Sequence, residues 1–449
     1  RDSSTSRGLG DVYKRQALLC AGLIAVTFTA CSSADSFSDK ENLSKNVERN
    51  SDTETTFNYS DGAVSAPTEY NSYSSEVSDF ELKLFRNYYK NNSDKKSFVF
   101  APANTALTLG LLANGAAKQS QTNIVNALSD ELVLDSENQC SSYFQSRLKA
   151  FSSDGTNTDE NGKNSEKAYV KLNQSMFFND TVDIRKNFLK ANADFYGANI
   201  FRFVFSDENA VKKVNSVLGE NAVTSLDNSN NLFCTSTSDI YDEWLNAYEK
   251  DAVADGTFYS ESGEKTVKYM TSAENYIHTD KAQGIIKYMR NTPVKFVAIM
   301  PNEDTSLESY ISSMTYLEYS DMLDSFKITS LTNASVPEFS IKSNGKPTSL
   351  KSELEDCGLA DIFTDSINLS NITLSDDLFV NDISEIQPSV TVNSAGIGGS
   401  ESVKATVTAN TLKSDSKTAD STLKFDRPFI FMLIDNESNI PLYIGTVDF

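Results

Sequence analysis

Apolar and polar residues alternate without a break over 402–410. Val403, Ala405, Val407 and Ala409 share one parity; Ser402, Lys404, Thr406, Thr408 and Asn410 share the other. Period two is the mark of a strand with one buried face. A short strand at 389–393 and the glycines Gly396, Gly398 and Gly399 come first, and a Ser/Asp/Lys/Thr-rich stretch at 413–422 follows, which reads as a solvated loop. A segment patterned as a strand but flanked as a loop predicts a chain able to change its sheet. Beyond it, 425–449 predicts two apolar strands around an Asp-Asn-Glu-Ser-Asn turn, bringing the chain back into its own core.

Upstream the period changes to that of helices. Phe80, Leu84, Phe85 and Tyr88 fall on one helical face behind a capping-box pattern, Ser78-Asp79-Phe80-Glu81, so order is expected to begin at Ser78. Between Pro102 and Gly115, Leu107, Leu109, Leu111 and Leu112 leave little polar face, which predicts a helix buried on all sides. The stretch 170–180 alternates as a strand, and 184–205 reads as a helix and then a strand. A strand pair is expected across Arg290, Asn291, Thr292 and Pro293, followed by a helix opened by Asp304 or Thr305. Another helix, within 350–363, should close at Gly358. Together these elements predict an α+β fold.

Composition alters this picture at the amino end. Residues 1–16 lack an initiator Met and are set aside as a non-native scar, and 17–30 is an apolar run of signal-peptide length. It stops at Phe28-Thr29-Ala30-Cys31, small residues before a cysteine, which resembles a bacterial lipoprotein signal with Cys31 as the lipid-modified residue. Residues 31–77 are rich in Ser, Asp, Glu, Asn and Thr without apolar period, and read as a disordered polar tether to the domain at 78–449. The expected location is the outer side of a bacterial membrane, lipid-anchored or secreted. Membrane contact would come through the lipid alone.

A net charge of −22, from 62 acidic and 40 basic residues, argues against a nucleic-acid partner, because phosphate binding needs a basic footprint. Of five cysteines, Cys140, Cys234 and Cys357 are expected as buried free thiols, and no cysteine or histidine cluster has metal-ligand spacing. The glycines at 396–399 precede a period-two run and not a helix, so they fail the context of a phosphate-cradling loop. His278 is the sole histidine, and no nucleophile elbow accompanies it; it reads as a residue without chemistry. No cofactor, no metal and no enzymatic activity are expected.

The order of these motifs resembles the serpins. Phe425, Pro428, Phe429 and Gly445 match the family's closing Phe-x-x-Pro-Phe and strand pair; Pro102, Gly115, Ala116 and Ser120 match the outline of its buried helix, with Lys118 replacing a glycine. Ala101 and Asn104 stand where serpins usually carry serines. Trp244, the only tryptophan, resembles the family's Trp at the top of the main sheet, where the loop first goes in. The resemblance covers about 80–449. It implies a serpin fold, three β-sheets with about eight or nine helices and an exposed mobile reactive-centre loop.

It further implies a monomeric suicide inhibitor of serine proteases that traps the protease as an acyl-enzyme by inserting the cleaved loop, about 394–424, into the main sheet. The alternative is a non-inhibitory serpin-fold surface protein that binds a partner or serves as a decoy substrate. The hinge falls on Ser394, Ala395, Gly396, Ile397, Gly398 and Gly399, where the family usually has a Glu-rich sequence. From Ile397 to Thr411 the segment would span roughly 50 Å as a strand, and Glu401 would be buried with Val403. Counting back from Pro428 places the scissile bond at Lys417-Thr418, the favoured site; Lys413-Ser414 is the next basic choice, and counting forward from Gly396 gives Asn410-Thr411. A lysine there suits a trypsin-like protease, and the long loop suits several.

Overall fold

The computed structural model describes residues 35–47, 65–92, 97–151, 156–158, 164–166, 168–219, 222–227, 232–327, 330–342, 347–374, 378–386, 388–398 and 421–449. The first long helix, α1 (Tyr70–Asn91), leads through strand β1 (Phe98–Phe100) into α2 (Pro102–Gly115). Then come α3 (Lys118–Leu128), α4 (Leu134–Ala150), β2 (Tyr169–Asn179), α5 (Lys186–Tyr196), β3 (Asn199–Phe203), α6 (Ala210–Leu218) and β4 (Leu232–Glu243). The strands β5 (Val253–Ser260), β6 (Gly263–His278), β7 (Ala282–Tyr288) and β8 (Val294–Pro301) follow, then β9 (Leu331–Pro337) and β10 (Phe339–Ile341). The last five are β11 (Val390–Val392), β12 (Gly396–Gly398), β13 (Ser421–Lys424), β14 (Phe429–Asp435) and β15 (Pro441–Val447).

The main sheet has six strands in the order β10-β11-β12-β4-β2-β3. The remaining long strands form one nine-stranded ladder, β1-β15-β14-β8-β7-β6-β9-β13, with β5 also on β6. The long strand β6 serves two layers: residues 263–270 pair with β5, whereas 275–278 pair with β7. Counting those layers apart gives three large sheets, beside two two-stranded ladders, and the described residues hold nine α-helices.

Every residue of α2 is buried, as its leucines predict, because it lies beneath β4 and β2 with β15 on its far side. Such a helix must satisfy its polar side chains internally. Asn104 Nδ2 donates to Ser238 Oγ at 3.0 Å, and the Thr108 and Ser236 hydroxyls bond at 2.5 Å, so two side chains of β4 are tied to the helix below. The apolar strands β14 and β15 are buried throughout, as the pattern of 425–449 requires. Asn439 has a positive φ of 59° in the turn between them.

Three expectations need correction. Helix α1 begins at Tyr70, eight residues before Ser78, and Ser78 is a buried residue of its interior and caps nothing. The cause is the apolar face formed by Tyr70, Tyr73 and Val77, which continues the Phe80-Leu84 stripe one turn at a time. Nor is the whole of 31–77 a tether. Residues 35–47 lie on the edge of the main sheet: Asn42 bridges Phe201, Arg202 N donates to Glu41 O at 2.9 Å, and Phe37 stacks on Phe201 with centroids 4.2 Å apart. Phe37 thereby covers a second apolar cluster of Phe177, Phe201, Phe203 and Phe205, which α6 closes with Ala210 and Val214. The third correction is at Leu307–Ser313, a helix capped by Ser306, whose side chain accepts from Ser309 N; neither Asp304 nor Thr305 does this.

Candidate functional site: the hinge at the top of the main sheet

The chain turns back on itself after β11 and lays β12 beside it. In register, Thr391 faces Gly398 and Val392 faces Ile397. On its other side β12 runs antiparallel to β4, with Gly396 opposite Glu243, Ile397 opposite Asp242 and Gly398 opposite Tyr241. Gly396–Gly398, within the expected hinge, therefore occupy a strand position between two neighbours of the main sheet. Ile397 is 1% exposed.

Asn393 makes the turn. Its side-chain Oδ1 accepts from Ala395 N at 2.9 Å and Gly396 N at 3.3 Å, and its own N–H donates to Gly396 O at 3.1 Å. Asparagine suits this because its short amide can mimic backbone within a turn. Gly396 is fixed by space: a Cβ there would stand 2.1 Å from Asp242 O and 2.8 Å from Glu243 Cα. Those are backbone atoms of a paired strand, so only glycine lets the two chains approach this closely.

Trp244 closes the top. It is 1% exposed; its N–H donates to Ala395 O at 3.1 Å, and its indole Nε1 donates to Asn393 O at 2.8 Å. The sequence-predicted tryptophan and hinge are thus brought into direct contact. Ser394 N donates to Glu338 Oε1 at 3.3 Å. Gly399 and the candidate scissile residues Asn410, Thr411, Lys413, Ser414, Lys417 and Thr418 lie outside the described residues, as do Glu401 and Cys31.

Two buried groups near this site carry no periodic signal in the sequence. Asp242, 1% exposed, accepts from Asn291 N, Thr292 N, Thr292 Oγ1 and Asn291 Nδ2 at 2.7–2.9 Å, pinning the end of β4 to the 290–293 turn. A carboxylate so fully bonded is a stable fixture of an interior. Beneath Trp244, Lys287 is 2% exposed and pairs with Glu274, while its Nζ lies 4.1 Å from the Tyr248 ring centroid and 5.4 Å from that of Trp244. The spacing of Lys287 and Glu274 on β7 and β6 could have flagged a cross-strand pair only after the register was known.

Elsewhere the candidate chemistry is sparse. His278 ends β6, exposed and stacked on Tyr276. The described residues contain no group of three or more His, Cys, Asp or Glu side chains arranged for a metal. Cys140 and Cys357 are buried, and burial pushes their thiols up to about 12 and about 11. Cys234 is half-buried as a residue, at the partly covered start of β4, yet burial pushes its thiol up to about 12 as well.

The far end of the segment is equally fixed. Ser421–Lys424 forms β13, parallel to β9 in the other ladder, with Leu423 opposite Ala334. Residues 399–420, 22 by difference of the numbers, thus join a strand that begins in the main sheet to one held in a different sheet. A cut between them would release the first part from the second.

A main sheet that takes in the start of a long connecting segment, over a wholly buried helix, with a second large ladder behind it, defines the α+β architecture of this chain. This chain belongs to the serpin family: the family model described as "Serpin (serine protease inhibitor)" matches residues 75–448. The chain is 24% identical to Serpin A3-7 of Bos taurus over 392 residues, 84% of this chain and 88% of that protein. It is also 24% identical to the plasma serine protease inhibitor of Homo sapiens over 388 residues, 82% and 88% of the two chains. Among solved structures, that of the thermophilic serpin tengpin in its native state has a TM-score of 0.73 at 24% identity, covering 91% of this chain and 99% of that one.

Proposed function

We propose that this protein is a suicide inhibitor of serine proteases. The observation that carries this reading is β12: Gly396–Gly398 is seated between β11 and β4, and the period-two residues Val403, Ala405, Val407 and Ala409 come next in the chain. The protease serine attacks the scissile carbonyl and its hydroxyl proton passes to the leaving amine, which leaves an acyl-enzyme ester on the amino-terminal part of the loop. That part continues β12 down the sheet and carries the protease with it, while the other part stays on β9. The free energy comes from backbone pairing and apolar burial gained by a strand that native folding leaves out.

The favoured bond is Lys417-Thr418, then Lys413-Ser414, with a trypsin-like partner; the lysines lie beyond the last apolar position, Ala409, where a bait residue stays outside the buried run. Cys31 as a lipid anchor at a bacterial surface, and a monomeric state, belong to the same reading. The test is incubation with a panel of serine proteases, followed by denaturing electrophoresis, fragment mass and melting of the product. A boiling-resistant complex and a carboxy-terminal fragment starting at Thr418 or Ser414 support the reading, and a start at Thr411 moves the bond to Asn410. Cleavage with no covalent complex under any protease would leave the decoy-substrate or binding-module reading in its place.

A further inference from the structure

Glu385 sits in the short strand Ser384–Ile386, which runs alongside β4 and pairs with Pro347–Ser349. Its side chain is directed inward, under the main sheet, and is 2% exposed. Oε1 accepts from Ala101 N, the residue just before α2, at 2.7 Å. The other oxygen, Oε2, is buried and has no hydrogen-bond partner. Thus the N–H at the start of the central helix is satisfied by a carboxyl from the strand above, in a chain that has alanine at that position.

Among the described residues, the ionisable group that interacts with this carboxyl is Tyr443 on β15, which also senses Tyr169 on β2 and Asp239 on β4. α2 and Pro347–Ser349 contribute no charged residue. None of these neighbours supplies a positive charge. A carboxyl with one acceptor used, one oxygen unbonded and only neutral or acidic neighbours is accommodated as the acid, with its proton on Oε2. Burial pushes its pKa up to about 8, offset in part by the bond from Ala101 N–H.

We propose that Glu385 is a positioning residue of the main sheet, a proton-dependent pin that fastens Ser384–Ile386 to the start of α2. Loss of the Oε2 proton to solvent leaves a charge that the site cannot hold, and the strand lifts to hydrate it. The side of the sheet beside the hinge then opens more readily as pH rises. The sign follows from linkage: the closed state keeps a proton that an opened, hydrated carboxyl releases near its ordinary value. Opening therefore grows roughly tenfold per pH unit from there up to about pH 8 and levels above it. The consequence for protease trapping rests on the inhibitory reading; the pin itself does not.

The experiment accordingly uses the full chain with no protease. Amide exchange of peptides spanning 384–392 is measured by mass spectrometry from pH 6 to 9, corrected for intrinsic exchange chemistry, beside Trp244 emission as a reporter of the top of the sheet. Wild-type protection should fall by tens-fold from pH 6 to 8 and then level. Glu385→Gln, which keeps the acceptor and the shape but cannot titrate, should give a flat profile. Equal slopes in the two proteins, or a flat wild-type profile, overturn the proposal. Should Glu385→Gln fail to fold, the wild-type profile decides alone. Failure here leaves protease trapping untouched, and failure to trap a protease leaves the exchange result standing.

Discussion

Replacing Gly396 by alanine tests whether the hinge is held in the sheet by close backbone approach. The added Cβ would lie 2.1 Å from Asp242 O, and Asp242 cannot retreat because its carboxylate is bonded to Asn291 and Thr292. The hinge must therefore leave. Leaving exposes Ile397, worth about 1.5–3 kcal/mol of burial. It also loses the bonds Trp244 N to Ala395 O and Asn393 N to Gly396 O, each worth about 0.5–1.5 kcal/mol net. The sum, about 2.5–6 kcal/mol, is the preference that holds β12 in place. A clash of this severity cancels it, so the peptide spanning 393–398 should exchange its amides at rates near those of an open chain, a hundredfold or more faster than wild type. Trp244 emission should shift to the red as its indole loses Asn393 O. Ile397→Ala is the control: it removes the buried side chain but leaves room for the backbone, and it should speed exchange far less. Wild-type exchange and emission in Gly396→Ala would refute the reasoning, since they would require β4 to yield where the structure fixes it.

Three further perturbations address the supports of the site. Glu274→Gln should lower stability by about 3–5 kcal/mol in thermal or urea melts, because it strands the Lys287 ammonium beneath Trp244, whereas Glu274→Leu with Lys287→Met should recover most of it; additive losses would argue that the pair is not coupled. Phe37→Ala should cost about 1.5–3 kcal/mol through lost packing on Phe201 and Phe203, and an unchanged melt would mean that residues 35–47 rest on the sheet without holding it. Burial raises Glu137 to about 7, against the hydrogen bond from Ser141, so its contribution to stability is full at pH 4 and is lost as pH rises to about 7; Glu137→Gln should flatten the profile over that window by about 3 kcal/mol, and a slope that persists assigns the titration elsewhere.

Period and order were enough for the elements whose burial is one-sided or complete. Helix α2 was legible because leucine-rich sequence with no polar stripe has few other fates, and β14 and β15 because two apolar runs flank a polar turn. The start of α1 was not: Tyr70, Tyr73 and Val77 stand at helical spacing among serines, and that polar composition hides the period. Phe37 was missed for a related reason. A single aromatic in a polar stretch has no period, and its partners, Phe201 and Phe203, are distant in sequence and meet it only on the finished sheet. At the site itself, the tryptophan and the hinge glycines could be read from motif resemblance. The reason for Gly396 could not, because it lies in the carbonyl of Asp242, 154 residues away by difference of the two numbers.

The two buried carboxyl groups, Asp242 on β4 and Glu385 on the strand alongside it, differ in how firmly they are held. Asp242, on the β4 side, is saturated with donors from a turn that belongs to a different ladder, so β4 is fastened both to its neighbour β2 and to the layer behind it. Glu385, on the other side, has one bond and one bare oxygen. Moving β4 would break several charge-assisted bonds at once, each stronger than a neutral one, whereas moving Ser384–Ile386 breaks one and gives a buried carboxyl access to water. The hydrogen bonding therefore favours displacement of Ser384–Ile386, while β4, to which Trp244 also ties the turn at Asn393, serves as the fixed template. Gly396 and Ile397 lie in register with that template. A strand extended from β12 would meet a partner whose position does not change.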